Sequence, residues 1–151
     1  MIRIKKSSTA DTRTCDYAKV DEQTLLDSTL QHRKDVTKGL TFFVDRLVQA
    51  AKDHDLDKIS DFKSFHADFK TGFKNTTWWD THKKINRHHF LDELHDDINL
   101  VDVMELIVDC VMAGMGRSGE VHPIKVPSEV LQRAFENTVE MLKSEVVVEN
   151  D

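Results

Sequence analysis

The run Leu100-Val101-Asp102-Val103-Met104-Glu105-Leu106-Ile107-Val108-Asp109-Cys110-Val111-Met112-Ala113 constrains this chain most. Wound as a helix, it is apolar on nearly every side, and a helix apolar all round belongs in an interior. Three acids interrupt it at steps of three and four, so Asp102, Glu105 and Asp109 form one narrow stripe. A buried carboxylate is costly unless a hydrogen-bond donor or a cation meets it. The rest of the chain must therefore bring cations or donors to that stripe. Asp102 has an ordinary outlet, because Asn99 three residues earlier suits an N-cap whose amides Asp102 can serve near the surface. Asp109, deep in the run, has none.

Helical spacing also governs the rest of the chain. With 151 residues, five Gly and two Pro, the expectation is an all-α protein. It reads as a single helical bundle of about five main helices over residues 21–146, with an N-terminal arm (1–20) and an acidic tail (147–151). Cys15 and Cys110 stand far apart, which argues against a disulfide framework and for a reducing compartment. The basic start, Arg3, Lys5 and Lys6, is followed by no apolar stretch of a signal peptide, and no run of about 18 apolar residues exists. A cytoplasmic protein without a membrane span is expected. The formal net charge of -6, from 27 acidic against 21 basic residues, speaks against an extended nucleic-acid surface.

Taken in order, Met1-Ile2-Arg3-Ile4 can form a short strand or a docked arm, and Ser7-Ser8-Thr9 reads as loop. From about Val20 to Asp53, Leu25, Leu26, Leu30, Val36, Leu40, Phe43, Leu47 and Ala50 recur at mostly helical steps. His32 falls into that progression and so points toward the core side, where a lone histidine with one hydrogen bond is the commonplace outcome. A second helix is expected over about 58–72, with Ile59, Phe62, Phe65, Phe69 and Phe73 as a core stripe. Trp78-Trp79 opens a third, running to about His95. On it His82, Asn86 and His89 share one face, while His88, Asp92 and His95 share another turned by about 100°. The first set is the better ligand face, with His88 as a further ligand or phosphate contact; the second is then a solvated face. Gly114-Met115-Gly116-Arg117-Ser118-Gly119 is expected to break the helix that follows, and Pro127 to start the last one. The tail Glu149-Asn150-Asp151 is expected to fray.

Between the first two helices lies His54-Asp55-Leu56-Asp57-Lys58. Adjacent His and Asp side chains reach one metal ion only where the backbone is held rigidly. A Lys one turn after Asp55 lies on the same side and can hold an anion bound there.

This order of ligands resembles the HD-domain phosphohydrolase superfamily, whose signature is a His, a His-Asp pair and a distant Asp within a helical bundle. The matching positions are His32, His54, Asp55 and Asp109, over about residues 30–110. The His-Asp-x-x-Lys string and the later His88-His89 pair are similar to its two-metal branch, and to small bacterial and phage proteins with Asn-x-His-His, here Asn86 to His89. The resemblance implies His82, His88 and His89 as ligands of a second metal. It departs from the cyclic-dinucleotide branch, because no Gly-Tyr-Pro follows His88-His89-Phe90-Leu91-Asp92. Lys58 also stands where single nucleotidases of the superfamily often place a Glu.

The resemblance implies a hydrolase of a small phosphate ester, foremost a nucleotide, with one or two divalent ions. Imidazole with carboxylate suits Mn, Fe, Co, Ni or Zn. Lys58, with Arg87 or Arg117, would neutralise charge on the phosphoryl oxygens. Glu105 would orient a histidine or take the proton of the attacking water. The alternative is a helical adaptor that binds a host factor and keeps the bundle with a structural metal or none. Homo-oligomers are compatible with either.

Overall fold

The computed structural model describes residues 1–6, 16–74 and 77–149. The Ser7-Ser8-Thr9 loop, Cys15, the terminator Asn75-Thr76 and the tail residues Asn150 and Asp151 lie outside them. Helices dominate: α1 (Glu22–Asp53), α2 (Leu56–Ser60), α3 (Phe62–Lys70), α4 (Trp78–Ile85), α5 (Leu100–Arg117) and α6 (Ser128–Glu145). A 3-10 turn spans Arg87–His89, and two short strands, β1 (Ile2–Lys5) and β2 (Val146–Glu149), complete the described elements. The all-α class expected from the periodicity is the class that forms. None of these helices is long and apolar enough to cross a membrane.

The chain divides into two units, Met1–Asp45 with Glu140–Asp151, and Arg46–Val139. In the first, β1 and β2 pair in parallel from Ile2 opposite Val146 to Lys5 opposite Glu149. Arg3 Nη1 reaches Glu149 Oε1 at 2.8 Å, and Lys38 Nζ donates to the Arg3 carbonyl at 2.6 Å. Glu149, expected in a frayed tail, is therefore the last paired residue of a strand. Asp21 starts α1, its carboxylate accepting from the Thr24 amide at 2.8 Å and the Thr24 hydroxyl at 3.1 Å. The stripe on α1 is not a core stripe, however. No residue of this helix is buried, and Leu25, Leu30 and Leu40 are exposed, as is His32.

The second unit is built on Phe90, Ile98, Val103, Leu106 and Ala134. Asn99 caps α5 as expected, accepting from the Val101 amide while Asp102 accepts from the Asn99 amide. From α6, the Thr138 hydroxyl receives the Leu100 amide, and Asn137 donates to the carbonyls of Asp96 and Ile98. These bonds satisfy helix-end and turn groups that would otherwise need water.

Three sequence expectations fail here for local reasons. The 58–72 helix is split at Asp61, whose φ of -121° and ψ of 45° end one helix and begin another. The phenylalanine stripe is thereby divided: Phe62 and Phe69 are exposed, while Phe65 packs on Trp78 (ring centroids 4.8 Å) and Phe73 on Trp79 (4.7 Å). Helix α5 does not stop at Gly114 but continues to Arg117 and ends before Gly119, whose φ is +76°. Gly114 serves a different purpose, because a Cβ there would stand 2.6 Å from the Glu120 carbonyl oxygen. Finally, α5 is not interior on all sides. Met104, Val108 and Met112 are exposed, and the acids reverse their expected burial: the Asp102 side chain is 5 % exposed and that of Asp109 34 %.

Candidate metal centre

The second unit gathers its histidines because two backbone features turn the chain. The first is at Asp55, where φ is 55° and ψ 19°, a left-handed conformation that Asp tolerates better than most residues. This twist follows directly on the end of α1, so His54 and Asp55 face one region instead of diverging. The Asp55 amide donates to Asn86 Oδ1 at 3.2 Å, which fixes the turn from the other side. The second feature is Asn86 itself. Its ψ of 107° stops α4 after Ile85 and sends Arg87–His89 into a 3-10 turn. The helical spacing that put His88 and His89 on different faces does not apply beyond that point, and both meet His82.

Two groups of metal-ligating atoms result. Asp55, His82, His88 and His89 have ligand atoms within 4.8 Å of one another, and so do His54, His88 and Glu105. In the first, His82 Nε2 lies 3.1 Å from His89 Nε2 and 3.4 Å from Asp55 Oδ1. His88 Nε2 lies 3.6 Å from the same oxygen. On the other side of this carboxylate, Asp55 Oδ2 is 3.6 Å from His54 Nε2, which is 3.7 Å from Asp109 Oδ1. His54 and Asp109 thus stand together, although they are about a third of the sequence apart. Buried His, Asp and Glu side chains this close could hold a metal ion.

The far sides of His54, His88 and His82 are already engaged. His54 Nδ1 and His88 Nδ1 both donate to Glu105 Oε1 at 2.9 Å, and His82 Nδ1 donates to Asp57 Oδ2 at 2.8 Å. A carboxylate only accepts, so each of these Nδ1 atoms carries a proton, and in the neutral ring Nε2 then presents its lone pair. Asn86 Nδ2 completes the support, donating to Asp57 Oδ1 and to the His82 carbonyl. Asp68, fully buried, receives the Trp79 amide at 2.9 Å and so anchors the first turn of α4 that carries His82. Asp57 and Asp68 went unassigned in the sequence. Asp57 lies within the His-Asp string, two residues after Asp55, and that proximity was its only signal.

Electrostatics favour the neutral form of His82 and His89. Burial lowers the proton affinity of His82, against the pull of Asp57. Burial also pushes His89 down to about 4, with the charges of His88, His82 and Lys58 acting in the same direction. Burial raises the Asp55 carboxyl, but Lys58, His54 and His88 outweigh it, and the group lies below the usual carboxylate range. Glu105 behaves alike, with the His88 and His54 hydrogen bonds overcoming its burial. One carboxylate oxygen stands out: Asp55 Oδ1 is buried and accepts no hydrogen bond, with lone-pair nitrogens as its neighbours. A cation is the partner that an oxygen in such surroundings lacks.

Not every expected residue arrives. His32 sits in the first unit, nearly six turns before the end of an unbroken α1, and belongs to neither group. Asp92 and His95, which were not expected as ligands, belong to neither group, though Asp92 lies 3.7 Å from His89 Nδ1. Lys58 Nζ donates to Asp55 Oδ2 at 2.6 Å and lies 5.9 Å from the centre of a Trp79 ring. Arg87 is committed elsewhere: it grips Asp102 with Nε at 2.7 Å and Nη2 at 2.8 Å, and it reaches Asp97 as well. That fork is what offsets the burial of Asp102. Arg117 lies at the end of α5, outside both groups.

Fold and site together define an all-α chain with two adjoining groups of candidate metal ligands that share His88. No protein-family model matches the sequence, and no curated protein or solved structure matches it either.

Proposed function

We propose that this protein is a metal-dependent phosphohydrolase of small phosphate esters, related to the HD-domain superfamily. The observation that carries the reading is Asp55, a half-buried carboxylate whose shielded Oδ1 lies near His82 and His88 and whose Oδ2 lies near His54. His82, His88 and His89 would hold one divalent ion with Asp55 Oδ1. His54 and Asp109 would hold another with Asp55 Oδ2. Imidazole and carboxylate together suit Mn, Fe, Co, Ni or Zn. When bound, such ions supply Lewis acidity and make water nucleophilic near neutral pH.

The chain's own groups supply the rest. Glu105 and Asp57 fix the ring orientation of three histidines and raise their basicity as ligands. Lys58 places an ammonium beside Asp55, where it can meet phosphoryl oxygens and neutralise charge that builds on them. Glu105 Oε1 is occupied by two imidazoles, which supports an orienting role over that of a base.

The test is phosphate release from p-nitrophenyl phosphate and a panel of phosphomonoesters, with Mn or Co added to metal-stripped protein. Turnover is expected only with metal, and a fall of at least 100-fold is expected in His88→Ala and Asp55→Asn, with unchanged helix content. Full turnover in either metal-replete variant, or none from the wild-type protein on any ester, would overturn the proposal.

A further inference from the structure

The ligand groups open on one side into a trough of about 510 Å³ between the last turns of α1 and the middle of α5. Leu47, Ala50 and Ala51 form one wall, and Met104, Val108 and Met112 the other. Both sets follow from helical spacing, and His54 continues the first stripe just as Glu105 and Asp109 border the second. The only polar residues on the lining are those three, all at the candidate metal centre.

That composition selects an occupant. Both walls are helices, so their backbone amides and carbonyls are spent on the helices themselves and offer a ligand nothing. Glu105 Oε1 is already taken by His54 and His88. A sugar or a base would therefore bury hydroxyls and ring nitrogens against methyl and thioether groups, which is unfavourable. An alkyl or aryl body would gain from the same surface, and two methionines can adjust to its outline. The trough is within the size range of small-molecule pockets, roughly 300–1,000 Å³. Its walls are exposed, Val108 at 54 % and Met112 at 68 %, and apolar surface open beside ligand groups marks a place where something apolar docks.

We infer that the trough seats the apolar body of the substrate, so that the ester hydrolysed is an alkyl or aryl phosphate with its phosphate at the His54–Asp109 end. This refines the phosphohydrolase reading and rests on it for the reaction, but not for binding in the trough. It also sets aside the nucleotide expected from the sequence.

Two measurements separate the claims. With Mn-loaded protein, kcat/KM is followed along n-alkyl phosphates from ethyl to hexyl, beside adenosine monophosphate. A rise of about fourfold per added methylene is expected, with the nucleotide below hexyl phosphate. Val108→Ser should flatten that rise. Independently, metal-free protein carrying ¹³C-methyl methionine is titrated with 1-naphthyl phosphate, and the Met104 and Met112 signals should shift in the wild type and less in Val108→Ser. Turnover without chain-length dependence would sink the trough assignment and leave the hydrolase reading intact. Methyl shifts without turnover of any ester would do the reverse. Met104 and Met112 shifts that depend on protein concentration alone would make the trough a contact between copies and overturn the inference.

Discussion

Glu105 and Asp57 show how much of a site rests on residues that face away from it. Each fixes imidazoles through Nδ1, and each should matter for metal binding without touching an ion. Glu105→Ala removes the acceptor of two N–H groups at once, one of them on His88, which is 1 % exposed. A roughly 10–100-fold weaker metal affinity is expected, read by competition with a chromophoric chelator; equal affinity would refute the orienting role. His89 adds a pH dependence to the metal-free protein. Its folded pKa of about 4 lies below the ordinary 6.5, so below pH 6.5 the unfolded chain binds a proton that the folded chain refuses. Stability from this group is complete above about pH 6.5 and is lost as pH falls toward 4, a change on the order of 3 kcal/mol. Urea midpoints across that range would test it, and a midpoint that rises on acidification would contradict it. The sequence named six residues that the fold brings together, His54, Asp55, His82, His88, His89 and Asp109, because chelating types at ordered positions are visible in one dimension. His32 was not separable from them, since its spacing matched an apolar stripe that is in fact exposed.

Among the elements, α4 and the turn after it explain the main misreading. Spacing alone continued the helix to His95 and divided the histidines between two faces. The structure ends that helix at Ile85, and an Asn at the next position was the available sign. Helix α5 erred in the opposite sense, because glycine read as a breaker persists within a helix where a neighbour needs its space. Gly114 and Gly116 then make a matched pair. Gly114→Ala would drive a Cβ into the Glu120 carbonyl and should cost about 1–3 kcal/mol. Gly116→Ala meets nothing within 4 Å and should stabilise by up to about 1 kcal/mol. Thermal unfolding of both variants decides the matter, and equal shifts would show that the segment 118–121 yields freely.

For the molecule as a whole, the class was legible because helical period recurs along most of the sequence after about residue 20, whereas burial was not. Periodicity says which residues share a face but not whether that face meets protein or water, and α1 carries a regular apolar stripe with no buried residue. The β1–β2 pairing was also beyond reach of local pattern, since its partners lie at opposite ends of the chain. Deleting residues 1–6 should lower the melting temperature by a few degrees, as β2 loses its ladder and Lys38 its acceptor on Arg3; an unchanged transition would show that the pair contributes nothing. Asp55 finally sets a limit on what substitutions the protein can accept. Since its backbone occupies a region open to few side chains, a branched residue there would distort the path from His54 to Lys58 as well as remove a charge. Asparagine, and glycine at the expense of a side chain, preserve the bend most readily, so sequence drift at this one position is confined by stereochemistry as well as by chemistry.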